Sequence, residues 1–165
     1  MRRALAGVGL AVAVGIGGTG AWSYAQARGD DDLAYGRARD AALADGRAAV
    51  ATLTTLDAST AARAKAGVTT WQQVASGPLR AELGRVAPAA GASTRGVVTD
   101  AALTALDDRA GTAKLIATVR VETTPKNAKS PTTDRKRLEA TLTRSSGDTW
   151  KVKALSAVPV AEVSG

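Results

Sequence analysis

The spacing of apolar residues changes once along this chain, and that change decides the fold class. Up to about Gly91 the apolar residues return at intervals of three and four, as on one face of an α-helix. From Ala92 they alternate with polar residues, which is typical of strands with one buried face. The chain is therefore predicted to be α+β, with about three helices first and a four-stranded antiparallel sheet after them.

The helical part is predicted to begin with one long helix from Asp30 to Asp57. Three aspartates in its first turn place negative charge at the positive end of the helix dipole, which is stabilising. Small residues lie in the middle of its apolar face, which indicates close packing against another element, the sheet. The predicted face consists of Tyr35, Ala38, Ala42, Gly46, Ala49, Leu53 and Leu56.

Two short helices are predicted between the long helix and the sheet. Thr69 and Thr70 indicate the start of the first, which carries Trp71. Ser76 is the predicted N-cap of the second, with Pro78 in its first turn. Trp71 is the largest side chain in this region, and we expect it to fill the core between the helices and the sheet.

Four alternating segments predict four strands that curve around the long helix as a meander. The segments DDRAGT and SSGD predict tight turns, and TPKNAKSPTTD predicts a longer loop. The side chains expected to face the helices are Val97, Thr99, Ala101, Leu103 and Ala105, then Leu115, Ala117, Val119 and Val121, then Leu138, Ala140 and Leu142, and finally Trp150, Val152 and Ala154.

The N-terminal segment has the features of a membrane anchor. Ala4 to Ala21 is uncharged over 18 residues, which as a helix would span about 27 Å. Two arginines precede it, and Trp22 and Tyr24 follow it where an interfacial aromatic belt would lie. We expect residues 1–27 to form a cytoplasmic start, a single span and a hinge, with residues 28–165 as one extracytoplasmic domain.

A signal peptide is the alternative interpretation of the same segment. Ala25 and Ala27 provide the small residues of a cleavage site, and cleavage after Ala27 would release a secreted protein. In both cases the domain that follows lies outside the cytoplasm.

Composition excludes several kinds of chemistry. The chain contains no histidine and no cysteine, which removes disulfides, thiolate metal sites, cysteine nucleophiles and the usual triads. No phosphate-binding glycine motif follows a strand. Asp107 and Asp108 lie in a predicted turn, and Asp45 and Asp100 are expected on solvated faces. We therefore predict a non-enzymatic protein with no cofactor and no metal.

A basic stretch from Arg120 to Arg137 is the clearest charge cluster in a chain of net charge +7. Such a stretch favours anionic lipid headgroups or an acidic protein partner, although an ordinary solvated loop would look the same. Nucleic acid is not expected as a partner, because no aromatic residue lies nearby to stack on bases. The candidate contact residues are Lys126, Lys129, Arg135, Lys136 and Arg137.

The order of these parts resembles a known family. The segments LTTLD at the end of the long helix, VASGPLRAEL in the helical part and DTWKVKALSAVPV in the last strand resemble the actinobacterial Mce-associated membrane proteins. The resemblance implies an outward domain with the cone shape of the nuclear-transport-factor-2-like (SnoaL-like) fold. It also implies an accessory role beside a lipid-importing Mce complex in the cell envelope, with no catalytic residues.

Other functions remain open for a domain of this kind. Scaffold subunits of type IV secretion complexes share the single span and the outward cone. An apolar ligand in the cone is a further alternative. A SnoaL-like cyclase or isomerase is a weaker one, because this chain offers such a pocket only Tyr35 and acidic residues.

Overall fold

The computed structural model describes residues 32–126 and 130–158. The chain divides into two compact units, residues 1–38 and 39–165, and only helical residues 32–38 of the first are described. The predicted anchor, residues 1–27, lies outside the described residues. Among the described helices, none combines the length and the apolar character that a membrane crossing requires.

The α+β class with three helices and a four-stranded antiparallel sheet is confirmed. The first helix, α1, covers residues 32–53 and is followed by α2 (Ala61–Val74) and α3 (Gly77–Leu83). The strands are β1 (Ser93–Asp107), β2 (Thr112–Thr124), β3 (Thr132–Arg144) and β4 (Trp150–Ala157). Each strand pairs with the next along the chain, in the order β1-β2-β3-β4.

Helix α1 packs on the sheet through small residues, as predicted. Ala42, Gly46 and Ala49 are buried. A Cβ atom added at Gly46 would lie 2.8 Å from Leu115 Cδ1 and 2.9 Å from Leu142 Cδ1, which is closer than packed atoms approach. The glycine therefore lets the helix backbone rest directly on the side chains of β2 and β3.

The end of α1 differs from the prediction. The helix ends at residue 53 rather than at Asp57. Leu56 leaves the helix and pairs instead with Thr94 of β1 through two backbone hydrogen bonds of 2.8 Å. At the other end of the predicted face, Tyr35 belongs to the first unit and its side chain is 45% exposed.

Helix α2 begins earlier than predicted, and Trp71 has a different role. Thr60 is its N-cap and accepts a hydrogen bond from the Arg63 N–H at 3.2 Å. Thr69 and Thr70 lie inside the helix, because their hydroxyls donate to carbonyls four residues earlier. Trp71 is half-buried and does not fill the core at the sheet; that position belongs to Trp150, which is 2% exposed.

Helix α3 starts where the sequence indicated. Ser76 occupies the N-cap position, Pro78 lies in the first turn, and Gly77 adopts a left-handed φ of +51°. The Ser76 N–H donates to the Val152 carbonyl at 2.8 Å, so the start of α3 is fastened to β4.

The inward faces of β2 and β3 are confirmed. The predicted residues of both strands are all buried, and the two strands pair in one register from Thr112 and Thr143 to Thr123 and Thr132. Strand β3 begins at Thr132, so Thr132 to Asp134 lie in a strand and not in the predicted loop.

The predicted inward face of β1 is wrong in three places. Two β-bulges each insert one extra residue, Thr99 and Thr104, opposite β2. Each bulge shifts the alternation by one residue, so Val97, Thr99 and Ala105 are exposed. The β1 side chains that contact the core are Val98, Ala101, Leu103 and Leu106.

A third bulge, at Lys153 of β4, has the same effect. Val152 pairs with Leu142 and Ala154 with Thr141, which leaves Lys153 without an opposite residue. Ala154 is therefore exposed instead of buried, and Leu155 packs against the core.

Candidate functional site

The structure separates the candidate contact residues that it describes. Lys126 is exposed just after the end of β2, and Lys129 lies outside the described residues. Arg135, Lys136 and Arg137 are consecutive exposed residues of β3. Because successive side chains of a strand point to opposite faces, these three cannot form one surface.

The register assigns each of the three to a face. Lys136 lies opposite Val119, which is fully buried, and therefore belongs to the face that carries the helices. Arg135 and Arg137 belong to the opposite face, which we call the outer face of the sheet. The candidate cluster is thus two outer arginines and one inner lysine on β3.

A further arginine joins the outer pair. Arg120 of β2 is exposed and lies directly opposite Arg135 in the register. We call Arg120, Arg135 and Arg137 the arginine row. Arg120 was inside the basic stretch of the sequence but not among the five candidates; only the strand register shows that it belongs with Arg135.

The arginine row has no acidic partner in the part of the chain that the structure describes. Ion pairs there join Arg39 to Asp40, Arg63 to Asp57, Lys114 to Glu139 and Arg144 to Asp148. The residues opposite the row on the β1 and β2 sides include Val97, which faces Arg120, and Thr118, which faces Arg137. The ion pairs of the described residues thus leave the row out, and the acids beside it on the outer face are Glu122, two residues after Arg120, and Asp100, opposite Thr118.

A groove lies between the end of α1 and α2. Its volume is about 630 Å³, and Thr52, Leu56, Arg63, Gly67 and Trp71 contribute to its lining. An apolar ligand in the cone would lie between the helices and the sheet, whereas this groove lies between two helices. We call it the helix groove.

The polar groups around the helix groove are largely used within the protein. The Trp71 indole N–H donates to the carbonyls of Thr52 and Thr55 at 2.8 and 2.9 Å, which satisfies two acceptors at the end of α1. The hydroxyls of Thr52, Thr55 and Thr70 donate to helix carbonyls. The groove consequently presents mainly apolar atoms.

One charged pair stands at the rim of the helix groove. The Ser59 hydroxyl donates to the Asp57 carboxylate at 2.6 Å, the Ser59 N–H donates at 3.0 Å, and the Arg63 guanidinium donates at 2.8 Å. These hydrogen bonds lower the pKa of Asp57 to about 2. A carboxylate held in this way is ionised at neutral pH and accepts hydrogen bonds; it is not a general base poised near neutrality.

The other acidic residues considered from the sequence lie apart from one another. Asp107 is the last residue of β1 and accepts the Ala110 N–H at 2.9 Å. Asp45 of α1 accepts the Trp150 N–H at 2.8 Å and so joins the helix to β4. Asp100 is exposed on the outer face opposite Thr118. Within residues 32–126 and 130–158, no group of three acidic side chains is placed to hold a metal ion.

Comparisons with known proteins leave the family open. No family model matches this chain, and no curated protein matches it. Among solved structures, an IcmL-like type IV secretion system protein from Legionella pneumophila is similar, with 14% identity and a TM-score of 0.48. The match covers 72% of this chain and 91% of that one. At this identity and score, the likeness assigns no function here, and the resemblance to Mce-associated proteins stays a prediction.

Proposed function

We propose that this protein is a non-catalytic accessory or scaffold protein of a cell-envelope complex, held at the membrane by its N-terminal segment. The observation that supports this proposal most directly is the arginine row, together with the exposed Lys126. Exposed cations that form no ion pair among the described residues favour an anionic partner surface. The 18 uncharged residues of the N-terminal segment would keep this surface close to a bilayer.

The absence of catalysis is part of the proposal. The acid with a strongly lowered pKa, Asp57, is hydrogen-bonded by Ser59 and Arg63. Asp45 accepts a hydrogen bond from the Trp150 N–H, and Asp107 accepts one from the Ala110 N–H. In each case the polar group already has a structural partner, so it is not free to act on a substrate.

The partner complex has two candidates. The sequence resemblance implies an Mce-type lipid import system, and a type IV secretion or conjugation complex is the alternative. Both would present a membrane-embedded assembly to a small domain held within a few residues of the bilayer. Confinement near the membrane raises the effective concentration of the domain, so that weak contacts are sufficient.

Co-purification from crosslinked membranes tests the proposal. We expect the tagged full-length protein to recover subunits of one envelope complex, which would identify the partner complex. A variant with serine at Lys126, Lys129, Arg135, Lys136 and Arg137 should recover less of them, and the loss should increase with salt concentration. Equal recovery of partners by both proteins would show that the basic stretch is only a solvated surface. Recovery of no envelope protein would contradict the accessory role.

The helix groove supports a second candidate function, the binding of an apolar ligand. Its volume lies within the range of small-molecule sites, and its polar groups are largely satisfied internally. Native mass spectrometry of the protein purified from its own membranes should then show a co-purified lipid-like mass. Replacing Gly67 by leucine should remove this mass, because a Cβ at Gly67 already lies 2.5 Å from Leu56 Cδ1. A protein that purifies without any bound mass would contradict a binding role.

A further inference from the structure

The arginine row contains a local arrangement that is unfavourable for the protein alone. Arg120 and Arg135 are directly opposite each other on neighbouring antiparallel strands. Side chains in such positions start about 5 Å apart at their Cβ atoms, and like charges placed there destabilise a sheet. A chain that only needed a stable hairpin would gain from an acidic or neutral residue at either position.

Elsewhere the same sheet places opposite charges near each other. One level away on the outer face, Arg95 lies opposite Glu122, and further along the sheet Lys114 forms an ion pair with Glu139. Arg120 and Arg135, in contrast, are like charges in directly opposite positions, with Glu122 one level away on β2 and Asp100 opposite Thr118.

An anion with several oxygens fits this place. Two guanidinium groups side by side present planar sets of N–H donors, which match the geometry of a phosphate group and bind it by two hydrogen bonds each. Arg137 follows two residues after Arg135 on the same face and adds a third cation. Val97 lies opposite Arg120 on the other side and is 37% exposed, so an apolar side chain adjoins the charged groups.

We propose that the arginine row binds the phosphate group of an anionic phospholipid, with Val97 beside the apolar part of the lipid. This inference rests on the proposed position of the domain beside a bilayer, where such headgroups are the commonest anions. It goes beyond the basic stretch of the sequence in two respects: it includes Arg120, and it excludes Lys136. Lys136 lies between the two arginines in the sequence but on the opposite face.

The alternation of faces provides a matched control. In the variant Arg120→Gln/Arg135→Gln two positive charges leave the row, and in Lys65→Gln/Lys136→Gln two leave the rest of the surface. Lys65 is an exposed residue of α2. Both variants have the same net charge, so a difference between them reports the row itself.

The experiment uses the full-length protein in a neutral detergent. Native mass spectrometry measures binding of a short-chain phosphatidylglycerol, with phosphatidylcholine of the same chain length and inorganic phosphate as comparison ligands. We expect the arginine variant to bind phosphatidylglycerol about 25-fold more weakly, at about fivefold for each arginine, and the lysine variant to bind within twofold of the wild type. Thermal unfolding in the absence of lipid should show no loss of stability in the arginine variant, because a repulsive pair has been removed.

Three outcomes would overturn the inference. Equal losses in both variants would show an effect of net charge alone. Equal binding of phosphatidylcholine would show that the lipid charge is not recognised. Displacement of the lipid by inorganic phosphate at a similar concentration would identify a site for free anions. None of these outcomes depends on the recovery of a protein partner, so the accessory role can fail or hold separately.

Discussion

Strand β3 consists of two regions that pair with β2 in one hydrogen-bonding ladder but differ in the burial of their side chains. From Thr132 to Arg137 all six side chains are exposed, whereas from Leu138 onwards alternate side chains are buried under the helices. Both regions pair with β2 without a break in register. The backbone ladder alone is therefore sufficient to hold the first region extended, while the energy of folding comes mainly from the second. A strand of this kind can present charged side chains in fixed positions without placing them in the core.

The test with the largest expected effect is a substitution in the buried region of β3, which starts at Leu138. Leu142→Ala removes a side chain that is fully buried against α1, and it should lower the free energy of unfolding by about 2–5 kcal/mol. Arg137→Gln in the exposed region should change it by no more than about 0.5 kcal/mol. Urea unfolding measures both. Similar losses for the two variants would mean that the exposed region is also supported by packing.

A second test concerns the part of β1 that lies at the level of the exposed region. There the inward face of β1 is covered by the segment that follows α1. A Cβ at Gly96 would overlap Thr54 Oγ1 and lie 2.5 Å from Thr54 Cβ. Gly96→Ala should therefore destabilise the protein by about 1–3 kcal/mol. The double variant with Thr54→Gly should recover part of this loss, and strictly additive effects in the cycle would show that the two residues do not touch.

A third test addresses the attachment of α1 to the sheet. Asp45→Ala leaves the Trp150 N–H without its acceptor and should cost about 1–3 kcal/mol, since this N–H is part-buried. Asp45→Asn keeps an acceptor oxygen and should cost less. If both variants unfold at the same urea concentration as the wild type, water replaces the carboxylate and the bond does not hold the helix to β4.

The smallest expected effect depends on pH. The pKa of Asp57 is lowered to about 2 in the folded protein, below the ordinary value of an aspartate, so its ionised form stabilises the fold at neutral pH. This contribution is present above about pH 4 and is lost as the pH falls toward 2. The difference in unfolding midpoint between wild type and Asp57→Asn should shrink over that range. A difference that stays constant from pH 5 to pH 2 would show that ionisation is not involved.

The sequence was informative where the alternation continues without interruption. The inward residues of β2 and β3 were predicted correctly, because the pairing of these two strands has a single register. The face of small residues on α1 was predicted for a similar reason, because Ala42, Gly46 and Ala49 repeat at helical spacing.

The misplaced residues follow from two causes that the sequence does not reveal. Bulges at Thr99, Thr104 and Lys153 move the phase of alternation, and a bulged threonine looks like any polar residue of a strand. Thr69 and Thr70 resemble a helix start, but their hydroxyls bond within the helix. In the strands the wrong face was predicted, and in α2 the wrong boundary.

The candidate site shows the same limit. The basic stretch was found by counting charges along the chain, which places Lys136 beside Arg135. Binding surfaces are defined by faces, and the neighbour of Arg135 across the sheet is Arg120, fifteen positions earlier. That neighbour follows from the strand register, which depends on the turn between β2 and β3.

The two bulges of β1 have a consequence for how copies of this protein behave together. β1 is an outermost strand, and from Val97 to Leu106 it carries a single charged residue, Asp100, and neither proline nor lysine. A long strand of that composition with free N–H and C=O groups is a template for pairing with another chain. At each bulge the backbone is bent and the spacing of those groups is interrupted, and the threonine hydroxyls of Thr99 and Thr104 bond back to β2 at 3.1 and 3.5 Å. The irregularities that hid the inward face of β1 from sequence interpretation thus interrupt the regular template that its open edge would offer to another chain.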